Sequence, residues 1–180
     1  IMREFEEKNL GLCVTRQLST QNFCHTFISN KFIDRDPLSV ATKERTQIFP
    51  LYLYQGEKLE LEGNRPRKPN LDPDIVAQIA SGLGLKFTNE KEDRDGTFAP
   101  IDLLDYIYAV LHSPAYLEKY KEFLKLDFPR IPYPTDAKIF WQLIRLGGEL
   151  RQIHLLESSE VERYVTTYPM DGNNTITRHM

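Results

Sequence analysis

Residues 105–134 read DYIYAVLHSPAYLEKYKEFLKLDFPRIPYP and carry seven aromatic side chains. The apolar residues around their start have the spacing of one helical face: Leu104, Ile107, Tyr108 and Leu111. A second set follows with the same period: Tyr116, Leu117, Tyr120, Phe123 and Leu124. Between the sets, Ser113 is a favourable N-cap and Pro114 suits the first helical position, where its missing N–H costs nothing. The stretch therefore predicts two helices that meet at a Ser-Pro joint.

Three prolines follow within six residues: Pro129, Pro132 and Pro134. Proline disfavours helix both at its own position and at the residue before it. We therefore expect residues 127–134 to form an extended strap that leads the chain across the helices.

The first third of the chain predicts short strands. Residues 3–9 resemble a helix end, and residues 12–16 and 23–28 predict two strands of a hairpin. Residues 48–54 alternate aromatic and aliphatic side chains and predict a third strand, in which Pro50 indicates an edge.

Long polar connections join these strands, and helices dominate afterwards. Residues 30–46 and 56–72 are polar, and residues 88–98 predict a solvated loop. Asp72 and Pro73 begin a predicted helix that ends near Gly84.

The longest helix is predicted to start at Thr135-Asp136. Gly147-Gly148 within it is costly for a helix, so we expect another backbone to pack closely there. A late strand is predicted over residues 161–168, before a polar tail. Together these elements predict an α+β fold: a small antiparallel sheet with recognition loops in the N-terminal third, packed on a mainly helical second half.

Size and composition favour one soluble domain over residues 1–180. Its expected parts are a strand and loop part (1–70), a helical scaffold (71–160) and a late strand with a truncated tail (161–180). Hydrophobic residues make up 41% of the chain and charged residues 27%. No apolar run is long enough to span a membrane, and the start is too charged for a signal peptide. Two cysteines, Cys13 and Cys24, predict buried free thiols in a reducing, cytoplasmic compartment, with a bridge between neighbouring strands as the alternative.

The net charge of −3 does not indicate a nucleic-acid binder by itself, but its distribution is uneven. Residues 1–70 carry a charge of +2 and residues 71–180 a charge of −5. A neutral-to-basic first part is compatible with a DNA-facing side.

Motifs for catalysis are missing. The sequence has no phosphate-binding loop, nucleophile elbow, paired zinc ligands or adenine methyltransferase loop. The pair Gly82 and Gly84 is typical of a helix end, and His112 and His154 suit structural roles at helix ends. We therefore predict no catalytic residues, no metal and no cofactor within this chain.

The polar connections contain the candidate binding residues. Arginine and lysine can bond phosphates or guanine edges, and asparagine and glutamine can read adenine. The candidates are Lys31, Arg35, Lys43, Arg45, Gln47, Asn64, Arg65, Arg67, Lys68 and Asn70. Composition alone favours ordinary solvated surface loops over DNA contacts.

Several blocks together resemble one family. They are residues 9–17 (NLGLCVTRQ), 48–54 (IFPLYLY), 105–116 (DYIYAVLHSPAY), 127–132 (DFPRIP) and 147–156 (GGELRQIHLL). In order and spacing they resemble the C-terminal specificity, or target recognition, domain of Type ISP restriction–modification enzymes. These are large bacterial proteins that join a nuclease, a helicase-like ATPase, an N6-adenine methyltransferase and a target recognition domain.

The resemblance implies a DNA target recognition domain that positions a methyltransferase of the same polypeptide, with duplex DNA and that upstream domain as partners. It also implies that this chain is an excised fragment of a larger enzyme and inert alone. Two other functions stay open: a protein–protein docking module of the same enzyme, or a small independent enzyme that uses His112 or His154.

Overall fold

The computed structural model describes residues 2–17, 23, 26–33, 45–55, 65–166, 172 and 175. Seven short strands lie in this part of the chain: β1 Gly11–Thr15, β2 Thr26–Ser29, β3 Thr46–Pro50, β4 Tyr52–Tyr54, β5 Arg67–Pro69, β6 Lys86–Phe87 and β7 Thr97–Phe98. Four α-helices accompany them: α1 Pro73–Leu83, α2 Pro100–Leu111, α3 Pro114–Leu124 and α4 Ala137–His154. Short 3₁₀ helices span Met2–Phe5 and Ser159–Glu162. The predicted α+β class is confirmed.

A three-stranded antiparallel sheet, ordered β2-β1-β3, forms the first layer. The predicted hairpin is present, with Leu12 opposite Ile28 and Val14 opposite Thr26. On the other side of β1, Gly11 pairs with Pro50 at the end of edge strand β3, where a proline removes no ladder hydrogen bond. A Cβ on Gly11 would lie 2.6 Å from side-chain atoms of Ile48 and Phe5, so a larger residue there would require these side chains to shift.

The third strand differs from its prediction. Residues 48–54 do not form one strand, because the chain leaves the first sheet at Leu51 and Tyr52 begins β4 in a second sheet. Two asparagines explain the break. Asn9 bonds both the N–H and the carbonyl of Tyr52, at 3.1 and 2.9 Å, and the side-chain amide of Asn70 donates to the Pro50 carbonyl at 2.9 Å. These groups of Pro50 and Tyr52 therefore bond to side chains. Leu51 between them keeps backbone bonds, from its N–H to the Leu10 carbonyl at 2.7 Å and from Asn70 N–H to the Leu51 carbonyl at 2.9 Å.

The polar connection predicted over residues 56–72 also contains a strand. Arg67–Pro69 form β5, which pairs antiparallel with β4. A run of Arg, Lys and Pro has low strand propensity, so pairing with β4 overrides the local preference.

The helices begin where their caps predict. The Asp72 carboxylate accepts from the N–H groups of Asp74 and Ile75, and the Asp136 carboxylate accepts from Ile139 N–H at 2.9 Å. Helix α1 ends at Gly84, whose φ of 65° lies in the left-handed region that favours glycine.

Helices α2 and α4 form the centre of the second layer. A Cβ on Gly147 would overlap the carbonyl oxygen of Asp105, which confirms the close backbone approach expected at the glycine pair. Arg151 pairs with the buried Asp105 carboxylate at 2.7 Å beside this contact. Tyr108 and Phe140, each 0% exposed, fill the space between the layers.

The strap crosses the helices as predicted, and two tyrosines bind it. Residues 127–136 form neither helix nor strand. The Tyr106 hydroxyl donates to the Pro132 carbonyl at 2.8 Å, and the Tyr116 hydroxyl donates to the Arg130 carbonyl at 3.0 Å. The aromatic residues of the 105–134 block thus pack the helices and also bond the strap.

The late strand predicted over residues 161–168 is wrong for its described part. Ser159–Glu162 form a 3₁₀ helix, and residues 163–166 are exposed without strand partners. Residues 167 and 168 lie outside the described range. Apolar residues are too sparse here to cover a sheet face, and Tyr164 and Val165 are almost fully exposed. None of the helices described is both long and apolar enough to cross a bilayer.

Candidate nucleic-acid interface

The β4–β5 hairpin carries several of the predicted binding residues. Tyr54 lies opposite Arg67 and Leu53 lies opposite Lys68, so the two basic residues point to opposite faces of the hairpin. Gln55 N–H donates to the Pro66 carbonyl at 2.9 Å and extends the pairing beyond the strands.

Arg67 is bound within the protein by a fork-shaped ion pair. Its Nε and Nη2 atoms donate to the two carboxylate oxygens of Glu90 at 2.8 and 2.6 Å. The guanidinium carbon lies 3.9 Å from the ring centre of Tyr52, and Nη1 donates to the Lys8 carbonyl and the Tyr54 hydroxyl at 3.4 Å. The hydrogen bond to Glu90 raises the pKa of Arg67 above its already high value. A DNA contact by Arg67 would have to replace these bonds.

Tyr52 is the second part of this arrangement. Its hydroxyl donates to the Asn89 carbonyl at 3.3 Å and lies 3.5 Å from a Glu90 oxygen. Burial, and then the charge of Glu90, raises the pKa of Tyr52 to about 12. The phenol therefore stays protonated at neutral pH and remains a donor.

Arg65 is also engaged within the protein. Its side chain is only 8% exposed, lies near Glu6 and Glu7 at 3.4 and 3.8 Å, and packs over Tyr54 with 5.5 Å to the ring centre. The N-terminal segment and Glu90 thus bind the two arginines that composition predicted for DNA.

Lys68 lies on the other face of the hairpin and is exposed. It borders a groove of about 580 Å³, which we call the Lys68 groove. The groove is lined by Leu53, Lys68, Pro69, Asn70, Leu71, Pro73, Val76, Ala77, Phe87 and Asn89. Its polar side chains are exposed, whereas Leu53, Leu71 and Phe87 are half-buried and Val76 is buried.

Gln47 and Arg45 lie at the start of β3. Gln47 is exposed in a neighbouring groove of about 420 Å³, which shares Leu53 and Asn70 with the Lys68 groove. Gln47, Lys68 and Asn70 are therefore brought to one continuous surface. Arg45 is exposed just before the strand.

Lys31 lies elsewhere, after β2. It borders a wide cleft of about 790 Å³ that also contains Arg67, Glu90 and Glu157. Three further candidates, Arg35, Lys43 and Asn64, lie outside the described residues.

Comparison with known proteins identifies the family. A family model described as the Type ISP C-terminal specificity domain matches residues 1–180. The chain belongs to this family.

A solved structure shares the fold of the specificity domain. It is described as a cryo-electron-microscopy structure of a DrdV–DNA complex, and the two chains are 26% identical with a TM-score of 0.58. The similarity covers 82% of the specificity domain and 12% of the other chain, so the present chain spans only a small part of that protein. A search of curated proteins finds no significant match.

The histidines of the specificity domain are engaged between α2 and α4. His112 Nδ1 lies 2.9 Å from the Tyr108 carbonyl, and His154 Nδ1 lies 2.5 Å from the Tyr108 hydroxyl. Burial and the neighbouring His112 lower the pKa of His154 below 6.5, so its neutral ring can accept a hydrogen bond from the Tyr108 hydroxyl. These contacts give both histidines a packing role. In the part of the chain that the structure describes, no cluster of His, Cys, Asp or Glu has the geometry of a metal site.

Sequence reasoning missed Asn89 and Glu90, which it assigned to a solvated loop. Glu90 is exposed and lies 23 residues from Arg67, so no local period connects the two. The pairing of β4 with β5 places Arg67 opposite Tyr54 and on the same face as Tyr52, but it does not indicate Glu90.

Proposed function

We propose that this specificity domain recognises a DNA target sequence for a bacterial restriction–modification enzyme. The observation that carries the proposal is the match of the Type ISP specificity family to all 180 residues. The fold similarity to a chain in a DrdV–DNA complex supports it, because that structure contains DNA and the identity of 26% extends over most of this chain.

The exposed candidates have the chemistry for this function. Lys31, Arg45 and Lys68 can bond phosphates, whereas the amides of Gln47 and Asn70 can bond base edges or phosphates. Arg35, Lys43 and Asn64 remain proposed contacts. Arg65 and Arg67 also remain proposed contacts, and a bond from either to DNA would replace its ion pairs within the protein.

A selection experiment tests recognition directly. The full-length enzyme that carries this domain is mixed with duplexes that have a randomised central segment, and the bound fraction is sequenced over several rounds. We expect one motif to be enriched. Recovery of unselected sequence by a folded, DNA-binding enzyme would contradict the proposal.

We further propose that catalysis belongs to other domains of the same polypeptide, with an adenine-specific DNA methyltransferase as the direct neighbour. Such a domain would flip its target adenine after the specificity domain has set the register. Sequencing that detects N6-methyladenine in a host expressing the enzyme tests this, because methylation should fall within the selected motif. Methylation of cytosine instead would contradict it.

Helix α4 offers a docking surface for that neighbour. Ile139, Leu146 and Ile153 are 55%, 48% and 38% exposed and recur every seven residues, on the side of the helix away from the buried Phe140 and Ile144. An apolar stripe of this kind suits a protein partner. We expect Leu146→Gln to expose the junction of the two domains to limited proteolysis. The control is Gln152→Ala, an exposed change about 100° around the helix from Ile153, which should leave the pattern unchanged.

A further inference from the structure

The Lys68 groove has the composition of a site for one DNA strand. An exposed ammonium and two exposed amides, from Lys68, Asn70 and Asn89, border a channel whose other walls are mainly apolar. Lysine and asparagine are common phosphate contacts in protein–DNA complexes, and apolar surface can pack against deoxyribose. The groove volume of about 580 Å³ is large enough for several sugar-phosphate units of a DNA strand.

Two separate segments contribute these polar groups, and a clamp joins the segments. Lys68 follows Arg67 in β5, and Asn89 precedes Glu90 in the connection after β6. The Arg67–Glu90 ion pair and the bond from the Tyr52 hydroxyl to the Asn89 carbonyl therefore fix the separation of Lys68 and Asn89. Because the Arg67 fork is planar and makes two parallel bonds, it sets orientation as well as distance.

We propose that the Lys68 groove holds one strand of the target duplex and that Asn89 contacts that strand beside Lys68 and Asn70. Glu90 is a positioning residue, which keeps the groove at its width through Arg67. This inference rests on the proposed function and adds Asn89 and Glu90 to it.

The salt dependence of DNA binding tests the groove itself. The full-length enzyme is titrated against a fluorescent mixed-sequence duplex at several KCl concentrations, and binding is followed by anisotropy. Lys68→Ala should lower the slope of log affinity against log salt by about one, because one phosphate contact is lost. Asn89→Ala should weaken binding about fivefold with an unchanged slope, because an amide releases no counterion.

Matched controls come from the same surface region. Lys86→Ala removes an exposed lysine from β6, and Gln78→Ala removes an exposed amide from α1, and neither residue borders the groove. Binding by Lys68→Ala and Asn89→Ala that equals binding by these controls would overturn the inference.

The role of Glu90 is tested by a comparison of two charge removals. Glu92 is exposed in the same connection, so Glu92→Gln measures the effect of removing one negative charge, which by itself favours DNA binding. Glu90→Gln removes the same charge but also the clamp. We expect Glu90→Gln to bind the duplex about threefold more weakly than Glu92→Gln, because an ion pair this exposed contributes only modestly to holding the groove. Binding by Glu90→Gln that is equal to or tighter than binding by Glu92→Gln would contradict the positioning role of Glu90.

A double-mutant cycle separates positioning from a general loss of structure. If Glu90 acts through the groove, Lys68→Ala should weaken DNA binding by a smaller factor in the Glu90→Gln background than in the wild type. If the two residues act independently, the factor should be the same in both backgrounds. Tyr52→Phe provides a second variant, which removes the hydroxyl with its bonds to the Asn89 carbonyl and Glu90 and keeps the ring under Arg67. In the Tyr52→Phe background, too, Lys68→Ala should weaken DNA binding less than in the wild type. An unchanged effect of Lys68→Ala in both backgrounds would refute the proposal.

Failure of this inference is distinguishable from failure of the proposed function. If the wild-type enzyme enriches a motif but the groove variants bind like their controls, the groove assignment is wrong and target recognition stands. If the wild-type enzyme enriches no motif from the randomised pool, target recognition falls and the groove assignment with it.

Discussion

The helical half of this domain and its β4–β5 hairpin use aromatic residues in different ways. In residues 105–134, tyrosines spaced by the helical period fill a core and bond a strap through their hydroxyls. In the hairpin, Tyr52 and Tyr54 lie under arginines that are held by acidic residues from distant segments. The first arrangement depends on burial, whereas the second joins the buried ring of Tyr52 to an ion pair at the surface. Changes to the helical half should therefore affect stability first, and changes to the hairpin should affect DNA binding first.

The largest effect is expected at the contact of α2 and α4. Gly147→Val places a branched side chain where the Asp105 carbonyl already lies, so the helices must separate. We expect a loss of more than about 4 kcal/mol in the free energy of unfolding, measured by urea denaturation. Gly82→Ala is the control, because a Cβ there meets nothing within 4 Å, and it should be neutral or slightly stabilising. Equal midpoints for both variants would contradict the described packing.

A smaller loss of stability is expected when the buried carboxylate of Asp105 loses its partner Arg151. Arg151→Met leaves Asp105 buried without its ion pair, which should cost about 3 kcal/mol at neutral pH. Arg145→Met, which breaks an exposed pair with Glu149 on the same helix, should cost less than about 1 kcal/mol.

The stability loss caused by Arg151→Met should depend on pH. Burial raises the pKa of Asp105 above 3.8, against the lowering effect of Arg151, and removal of Arg151 raises that pKa further. The folded state then binds a proton more readily than the unfolded state, so stability falls as pH rises through that window. The deficit of Arg151→Met should therefore shrink as the solution is acidified toward the unfolded value. A deficit that grows on acidification would contradict the assignment.

The strap should respond to loss of a single hydroxyl. Tyr116→Phe removes the donor to the Arg130 carbonyl and should cost about 1 kcal/mol by thermal or urea unfolding. Tyr133→Phe removes the hydroxyl of a tyrosine that is 47% exposed, and we expect almost no change. A matching change in the two variants would show that the strap bond adds no stability.

The smallest effect on stability is expected in the hairpin. Arg67→Lys keeps the charge but loses the fork to Glu90, which is 56% exposed, so we expect less than about 1 kcal/mol. DNA binding by the full-length enzyme should nevertheless weaken severalfold in an anisotropy titration. A variant that loses stability but binds DNA normally would reverse the contrast between the two regions.

The same contrast explains what the sequence could predict. Helix caps at Asp72, Ser113 and Asp136, and the close approach at Gly147, follow from local signals and were predicted correctly. The break at Leu51 was missed because it depends on Asn9 and Asn70, which are distant in sequence. The strand predicted after residue 160 is wrong for residues 161–166, because the apolar side chains of Tyr164 and Val165 stay exposed instead of covering a sheet.

The candidate site was predictable only as a set of residue types. Composition identified Arg65, Arg67 and Lys68 together, but strand alternation separates Lys68 from Arg67, and acidic partners engage both arginines. The sequence could not indicate these partners, because Glu6, Glu7 and Glu90 belong to other segments. The assignment of individual residues to DNA therefore stays a prediction.

The break at Leu51 also has an evolutionary consequence. Because β4 leaves the first sheet there, the β4–β5 hairpin has its own pairing and shares no ladder with β1. Exposed hairpin positions such as Lys68 can therefore be substituted without breaking the β1 ladders, whereas Tyr52 packs with Leu104 and Tyr108 and ties the hairpin to the helices. A lineage can thus vary the exposed hairpin positions, including the proposed DNA contact Lys68, while Tyr52 and the helical block stay unchanged.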